Sequence, residues 1–349
     1  MESIIFAVDG RDDLVDSIVK QLTMTMCDIS IGVIHTEKFS DGEVCSDFKT
    51  SVRGKRIYLL SSPNTAEKVL QLNFAIDAAK RAGAKEIIPI LPYFPYARQD
   101  KKDQARGPIG AKVMAEMLEQ RGATQVITFD LHADQIQGFF NIPVMHMEGK
   151  YLFDRYIFDV FRDKVGDSMV LCAPDAGAAK RVKGFRDQLK ERWGIDLPIV
   201  MIDKTRKKAN EIDSMVIIGE VRAKDVVIID DMCDTAGTLV KAAKELKDAG
   251  AKSVRCIVTH GVLSGPALER IYNAKTDGII DDFVCSDSLP IYGRELIIYD
   301  LELSIENMNT ARAESFINLI STSQQIVKAI IATEKHTSIE RLKLESDEV

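Results

Sequence analysis

Apolar and polar positions along this chain follow two rhythms in turn. Short runs rich in β-branched residues have the length and composition of buried strands: Arg56–Leu60, Glu86–Ile90, Gln125–Phe129, Met169–Ala173, Val226–Ile229 and Ser253–Thr259. Between them, as at Ala66–Ala82 and Leu239–Ala249, apolar residues recur at helical spacing. Strand and helix in alternation predict an α/β fold with mostly parallel sheets flanked by helices, because parallel neighbours need a crossover and a helix supplies it.

The pattern also repeats. Val52-Arg53-Gly54-Lys55 leads into a strand and then a helix ending at Ala82-Gly83-Ala84-Lys85. Val221-Arg222-Ala223-Lys224 does the same, with a helix ending at Ala249-Gly250-Ala251-Lys252, and this copy is two residues shorter. Each Gly follows a helix and suits its C-cap. The matched lead-in, length and ending predict duplication, hence two similar α/β domains meeting near residue 150. After the strand the copies part. The first continues Ser61-Ser62-Pro63-Asn64; the second has Asp230-Asp231 and then Asp234-Thr235-Ala236-Gly237-Thr238. Only the second carries binding chemistry here.

Ligands of parallel sheets sit outside the carboxyl ends of the strands. Backbone amides at the helix start, with the Thr235 and Thr238 hydroxyls, suit a phosphate. Gly237 is expected to let the backbone approach the anion closely. Asp230 and Asp231 can accept hydrogen bonds from vicinal hydroxyls, as on ribose. An N-capped helix with acidic loop residues would produce part of this pattern, but the Asp-Asp pair before the loop favours a sugar-phosphate site. The run resembles the binding motif for phosphoribosyl diphosphate (PRPP) shared by phosphoribosyltransferases and PRPP synthetases. It points to a ribose 5-phosphate group held by Asp230, Asp231, Asp234, Thr235, Ala236, Gly237 and Thr238, and leaves the reaction open.

Composition narrows the classes. A chain of 349 residues has room for two cores, and its formal charge of −7 argues against a broad nucleic-acid face. No apolar run approaches the ~18 residues of a membrane span, and the opening MESIIFAVDG does not read as a signal peptide. The six cysteines are scattered without a CxxC pair, which predicts a reduced, cytoplasmic protein. The GxxxxGK[ST] signature is absent, which argues against a Walker-type kinase.

Further segments, from about Phe39 to about Ser264 and more weakly to Leu342, resemble the ribose-phosphate diphosphokinase (PRPP synthetase) family. The resemblance implies two phosphoribosyltransferase-like domains: 1–150, completed by a C-terminal helix at about 316–349, and 151–315. Phe39-Ser40-Asp41-Gly42-Glu43 is similar to the family's adenine-binding loop, which implies ATP contacts for Phe39, Asp41, Gly42 and Glu43. Pro92-Tyr93-Phe94-Pro95-Tyr96-Ala97-Arg98-Gln99-Asp100 resembles the PYFxYARQD signature, whose Arg and Gln, here Arg98 and Gln99, reach ATP across a subunit boundary. In Phe129-Asp130-Leu131-His132-Ala133-Asp134-Gln135-Ile136-Gln137-Gly138-Phe139-Phe140, alternation at a strand end is expected to put Asp130, His132 and Asp134 on one face. The resemblance implies Mg-ATP binding by His132 with Asp175, and Asp130 is a further metal candidate. Asp203-Lys204-Thr205-Arg206-Lys207 matches the family's mobile catalytic loop and implies transition-state stabilisation by Lys204 and Arg206. Thr259–Ala267 also matches and is expected to pack near the ribose site.

The implied activity is transfer of the diphosphoryl group of Mg-ATP to the C1 hydroxyl of ribose 5-phosphate, giving PRPP and AMP for nucleotide biosynthesis. The implied cofactor is Mg²⁺, and the implied assembly is a homo-oligomer built from dimers, usually a hexamer; neither nucleic acid nor membrane is a partner. The run Lys101–Gly107 departs from a basic, Ser-containing loop that takes part in phosphate activation and ADP inhibition in many members. Asp175-Ala176-Gly177-Ala178 replaces Asp-x-Gly-Gly, and an insertion lies near 299–318. Two rivals remain. A phosphoribosyltransferase explains neither the duplicated first half nor the YARQD and FDLHADQIQGFF runs. A non-catalytic regulatory subunit predicts damage at the ATP residues, yet Arg98, His132, Lys204 and Arg206 are present.

Overall fold

The β-branched runs become two sheets, each with helices on both faces. The computed structural model describes residues 1–102, 104–161, 168–205, 214–291, 297–299 and 317–339. The chain divides into two units: Met1–Glu148 with Ser288–Pro290 and the described part of Thr322–Val349, and Gly149–Asp287 with the described part of Ile291–Ser321.

The first unit begins with β1 (Ser3–Ala7), α1 (Asp12–Met24), β2 (Ser30–Ile31) and a hairpin of β3 (Ile34–Lys38) and β4 (Val44–Phe48). It continues with β5 (Arg56–Leu60), α2 (Ala66–Arg81), β6 (Glu86–Leu91), α3 (Gly110–Arg121), β7 (Val126–Phe129), a 3₁₀ turn (Asp134–Phe139) and β8 (Val144–Met147). Its sheet has the order β2-β1-β5-β6-β7-β8, parallel throughout. The second unit has α4 (Lys150–Phe161), β9 (Met169–Ala173), α5 (Ala179–Trp193), β10 (Ile199–Thr205), β11 (Ser214–Ile218), β12 (Asp225–Cys233) and α6 (Gly237–Asp248). Then come β13 (Ser253–Gly261), α7 (Ala267–Thr276), β14 (Asp282–Ser286), β15 (Ile297–Tyr299) and β16 (Asn318–Ile320). The order is β11-β10-β9-β12-β13-β14-β16-β15, with only the β10–β11 pair antiparallel. The chain then adds α8 (Ser323–Glu334) to the first unit.

Period-two alternation explains why both faces are buried. Ile57 and Leu59 face a cluster with α2 and α3, while Tyr58 and Leu60 face α1 and α8. In β12, Val226 and Ile228 pack toward α6 and α7, and Val227 and Ile229 toward α4 and α5. Each such side chain contributes roughly 1.5–3 kcal/mol of burial, so the continuous apolar run of a two-sided strand is the stable solution.

The duplication is visible bond by bond. Gly54 N–H donates to the Gly83 carbonyl (2.8 Å), and Ala223 N–H to the Gly250 carbonyl (2.8 Å). Lys85 N–H reaches the Lys55 carbonyl (2.9 Å) as Lys252 N–H reaches that of Lys224 (2.8 Å). Gly83 and Gly250 end their helices at φ +81° and +93°, the left-handed region where a side chain is strained.

Four expectations are corrected. β12 runs to Cys233, because Asp230, Met232 and Cys233 continue to pair with Val258, His260 and Gly261; Asp230 and Asp231 therefore lie on the strand, not after it. β7 stops at Phe129, Asp130 turns at φ +35° and Asp134 opens the 3₁₀ turn, so Asp130, His132 and Asp134 do not alternate on one strand face. Residues 318–320 form β16 on the second sheet beside β14, so the chain rejoins the first unit only from Thr322, with α8. Asp203, Lys204 and Thr205, expected in a loop, pair as strand with Val216, Met215 and Ser214. Arg206 and most of the insertion near 299–318 lie outside the described residues.

α8 is fastened by Glu334, whose carboxylate accepts from Ser3 Oγ (2.8 Å) and Tyr58 OH (2.7 Å) and meets Arg56 Nη1 at 3.1 Å. Burial pushes the Glu334 carboxyl up, but bonds from Tyr58, Ser3 and Arg56 outweigh it and hold it below the ordinary range. A depressed carboxyl contributes stability above its unfolded pKa and loses it as pH falls through the folded one. Glu334→Ala should cost about 2–3 kcal/mol in denaturant melting, with the deficit shrinking as pH falls below ~4. An unchanged melting midpoint near neutral pH would show that the clasp contributes nothing.

Candidate active site

The second unit gathers its polar residues where β9, β12 and β13 end. Asp231 is 3% exposed, and its N–H donates to the Asp230 carboxylate (2.9 Å). Arg181, on α5, brings Nη1 to 3.5 Å from the Asp231 carboxylate and 3.8 Å from that of Asp230. Burial first, and the Asp231 charge second, push the Asp230 carboxyl up to about 8, with Arg181 opposing. Two adjacent acceptors backed by one cation suit a vicinal diol, which donates two hydrogen bonds.

Beyond them the chain turns through Asp234 and Thr235 into α6. Leu263 N–H donates to the Cys233 carbonyl (3.0 Å) and Ser264 N–H to that of Asp234 (2.9 Å), so Val262–Gly265 props the turn. Ala236 takes φ +60°, and Thr235 and Thr238 are exposed at the start of α6. Gly237 also has a neighbour within the protein. A Cβ there would come 3.1 Å from Arg270 Nη1, which also donates to the Thr235 carbonyl (2.9 Å). A side chain at 237 would therefore crowd the guanidinium beside the turn. The Cys233 thiol, pushed up to about 12 by burial, stays protonated beside the site. Asp175 follows β9, and its carboxylate accepts from Ala178 N–H (3.1 Å).

The matching place in the first unit is filled by the protein itself. Asp9 stands two residues past β1, as Asp175 stands two past β9. Its carboxylate accepts from Ser62 N–H (2.9 Å) and lies 3.6 Å from Lys68 Nζ. Arg11, 2% exposed, donates to Ser62 Oγ (3.0 Å), which donates to the Ser288 carbonyl (2.7 Å).

The nucleotide-side residues lie elsewhere in the first unit. Phe39–Glu43 is the tip of the β3–β4 hairpin, closed by Phe39 N–H to the Glu43 carbonyl (2.8 Å) and Gly42 N–H to that of Phe39 (2.9 Å). The Phe39 ring is 45% exposed, free of the core and open to stacking. Asp41, Gly42 and Glu43 border a groove of about 610 Å³ that reaches Leu70 and Phe74 on α2. Arg98 and Gln99 line another, of about 440 Å³, with Asn64, Thr65, Tyr93 and Tyr96. The two groups of expected ATP residues border neighbouring grooves that meet at Ala66 on α2. Asp130 is buried at the end of β7 and His132 is exposed on the turn after it. Asp130 and His132 belong to the first unit, Asp175 and Lys204 to the second. Sequence reasoning missed Arg181 and Arg270, since nothing in their local spacing marks them; the offset of Asp9 from its strand was a signal available and unused.

Two family models match the chain. Residues 3–122 match the N-terminal domain of ribose phosphate pyrophosphokinase, and 146–291 match the phosphoribosyl transferase domain. A ribose-phosphate pyrophosphokinase from Helicobacter hepaticus is 45% identical over 267 residues, 76% of this chain and 82% of that protein. The chain belongs to the ribose-phosphate pyrophosphokinase family. Its activity is that of a transferase that makes PRPP for nucleotide biosynthesis. The enzyme of the same name from Caldanaerobacter subterraneus is 40% identical over 82% of this chain and 86% of its own length. The crystal structure of phosphoribosylpyrophosphate synthetase from Mycobacterium smegmatis superposes with a TM-score of 0.80 at 31% identity, covering 96% of this chain and all of that one.

Proposed function

We propose that this family reaction runs on the residues above, with ATP as donor and ribose 5-phosphate as acceptor. The observation that carries the reading is the Asp230–Asp231 pair backed by Arg181 at the end of β12, directly before the 234–238 turn. The turn takes the 5-phosphate on backbone amides and the Thr235 and Thr238 hydroxyls, and the two carboxylates take the ribose hydroxyls. The C1 oxygen then attacks the β-phosphorus of ATP in line, the bond to the α-phosphate oxygen breaks, and AMP leaves. Lys204, Arg206 and Arg98 spread positive charge over the phosphate oxygens as the transfer proceeds. Phe39 stacks on the adenine, with Asp41, Gly42 and Glu43 at its edge and Gln99 beside Arg98. The family resemblance implies that the ATP site is completed by a second subunit, in a homo-oligomer that is built from dimers and reaches a hexamer.

Mg²⁺ prefers oxygen and is usually held by one or two carboxylates together with substrate phosphates, which suits Asp175 and Asp130, while His132 is the nitrogen donor that the family resemblance adds. Among the described residues no three His, Cys, Asp or Glu side chains gather into a metal cage, which accords with sharing between protein and substrate. Asp175, His132 and Asp130 would hold it, and it would neutralise and orient the triphosphate. Six free cysteines, and no described helix long and apolar enough to cross a membrane, support a cytoplasmic enzyme.

The test is direct. Purified protein is mixed with Mg-ATP and ribose 5-phosphate, and AMP and PRPP are followed together across phosphate concentrations. Equal formation of both is expected; ADP as the product, or no AMP above background, would sink the reading.

A further inference from the structure

We infer that His146 is a positioning residue for the turn that carries His132. The inference rests on the reading of that turn as part of the Mg-ATP site.

Asp130 adopts φ +35°, a conformation a non-glycine residue leaves unless its surroundings hold it. They do so from β8. Asp130 N–H donates to the Met147 carbonyl (2.7 Å), the bond expected where parallel strands run on. The twist at Asp130 then carries the next amide out of the ladder. Leu131 N–H finds a side chain instead: it donates to His146 Nε2 at 3.0 Å. A backbone amide only donates, so Nε2 is the acceptor and the neutral ring carries its proton on Nδ1. The other side of the ring packs 3.3 Å from Gln137 Nε2, in the 3₁₀ turn, a contact between two donors and not a second hydrogen bond. That amide in turn bonds the Asp134 carbonyl (3.0 Å). One half-buried imidazole thus touches the chain just before His132 and again five residues after it. Between those two points stands the exposed His132. Its backbone direction is set at the Leu131 end, one residue before it, by a residue that need not touch ATP.

This geometry demands an acceptor at the Nε2 position, which only some side chains supply. Gln places its amide oxygen close to that point, whereas Leu fills a similar volume and takes away the acceptor that the Leu131 amide has in His146. His146→Leu should raise the KM for Mg-ATP about tenfold, the equivalent of losing ~1.4 kcal/mol of binding, with the KM for ribose 5-phosphate unchanged. Hydrogen exchange at Leu131 should quicken in the same variant. His146→Gln should restore both. A native KM for Mg-ATP in the Leu variant, or a Gln variant no better than Leu, overturns the assignment. His132→Asn is the control that separates two failures. If it leaves the KM for Mg-ATP untouched, the reading of the turn itself is wrong; if it raises that KM while His146→Leu does not, only the role of His146 falls.

Discussion

Lys204→Ala is expected to lower kcat about 10³-fold, the cost of removing one preorganised charge from a phosphoryl-type transition state, while Mg-ATP still binds. Phosphoryl transfer asks little covalent chemistry of the protein and much charge on the equatorial oxygens. Lys204 lies in the last paired stretch of β10, opposite Met215, so the strand fixes its backbone. A cation needed only in the transition state affects turnover and spares ground-state binding. Single-turnover kinetics with equilibrium ATP binding measure the two separately. A kcat within threefold of the parent enzyme would take Lys204 out of the mechanism.

Asp231→Asn should raise the KM for ribose 5-phosphate about 10²-fold, from a charge-assisted hydrogen bond lost in a buried place. It should also change how stability responds to pH. The Asp230 carboxyl is pushed up to about 8 by burial and by Asp231. A group with a raised folded pKa binds more protons folded than unfolded, so stability falls as pH rises from the ordinary carboxylate range to about 8, and then levels. Removing the Asp231 charge lowers the Asp230 pKa, so the fall in stability ends at a lower pH. Melting of the ligand-free protein at a series of pH values reads it out. A wild-type melting temperature that climbs steadily from pH 5 to pH 8, or a fall that ends at the same pH in Asp231→Asn, would contradict the coupling. In the wild type, ribose 5-phosphate affinity should improve as pH rises toward 8, because the ionised carboxylate is the better acceptor for a diol.

Much of this site was legible in one dimension, and the reason is specific. The phosphate turn is local: Asp230 to Thr238 are contiguous, so their residue types and order are the site. The duplication was legible because the caps at Gly83 and Gly250 are local too, each set by a backbone that needs φ > 0. The ends of elements were less so. β12 was expected to stop at Ile229, since Asp is a poor strand residue, yet pairing with β13 carries Asp230 and Asp231 along. The Asp130–His132–Asp134 alternation failed because Asp130 twists the chain, and nothing local to FDLHAD reports the His146 ring that accepts from the following amide.

Contiguity therefore marks the boundary. By itself the sequence determined the α/β class, the repeat and the sugar-phosphate loop, since strand periodicity, helix caps and a nine-residue motif from Asp230 to Thr238 need only near neighbours to be specified. Only the tertiary structure decided what stands behind that loop. Arg181 comes from α5 to the paired carboxylates, Arg270 from α7 takes the space beside Gly237, and Asp9 with Arg11 closes the corresponding end of the first sheet. Those contacts depend on how helices return across a sheet, and packing sets that at a range no local pattern encodes.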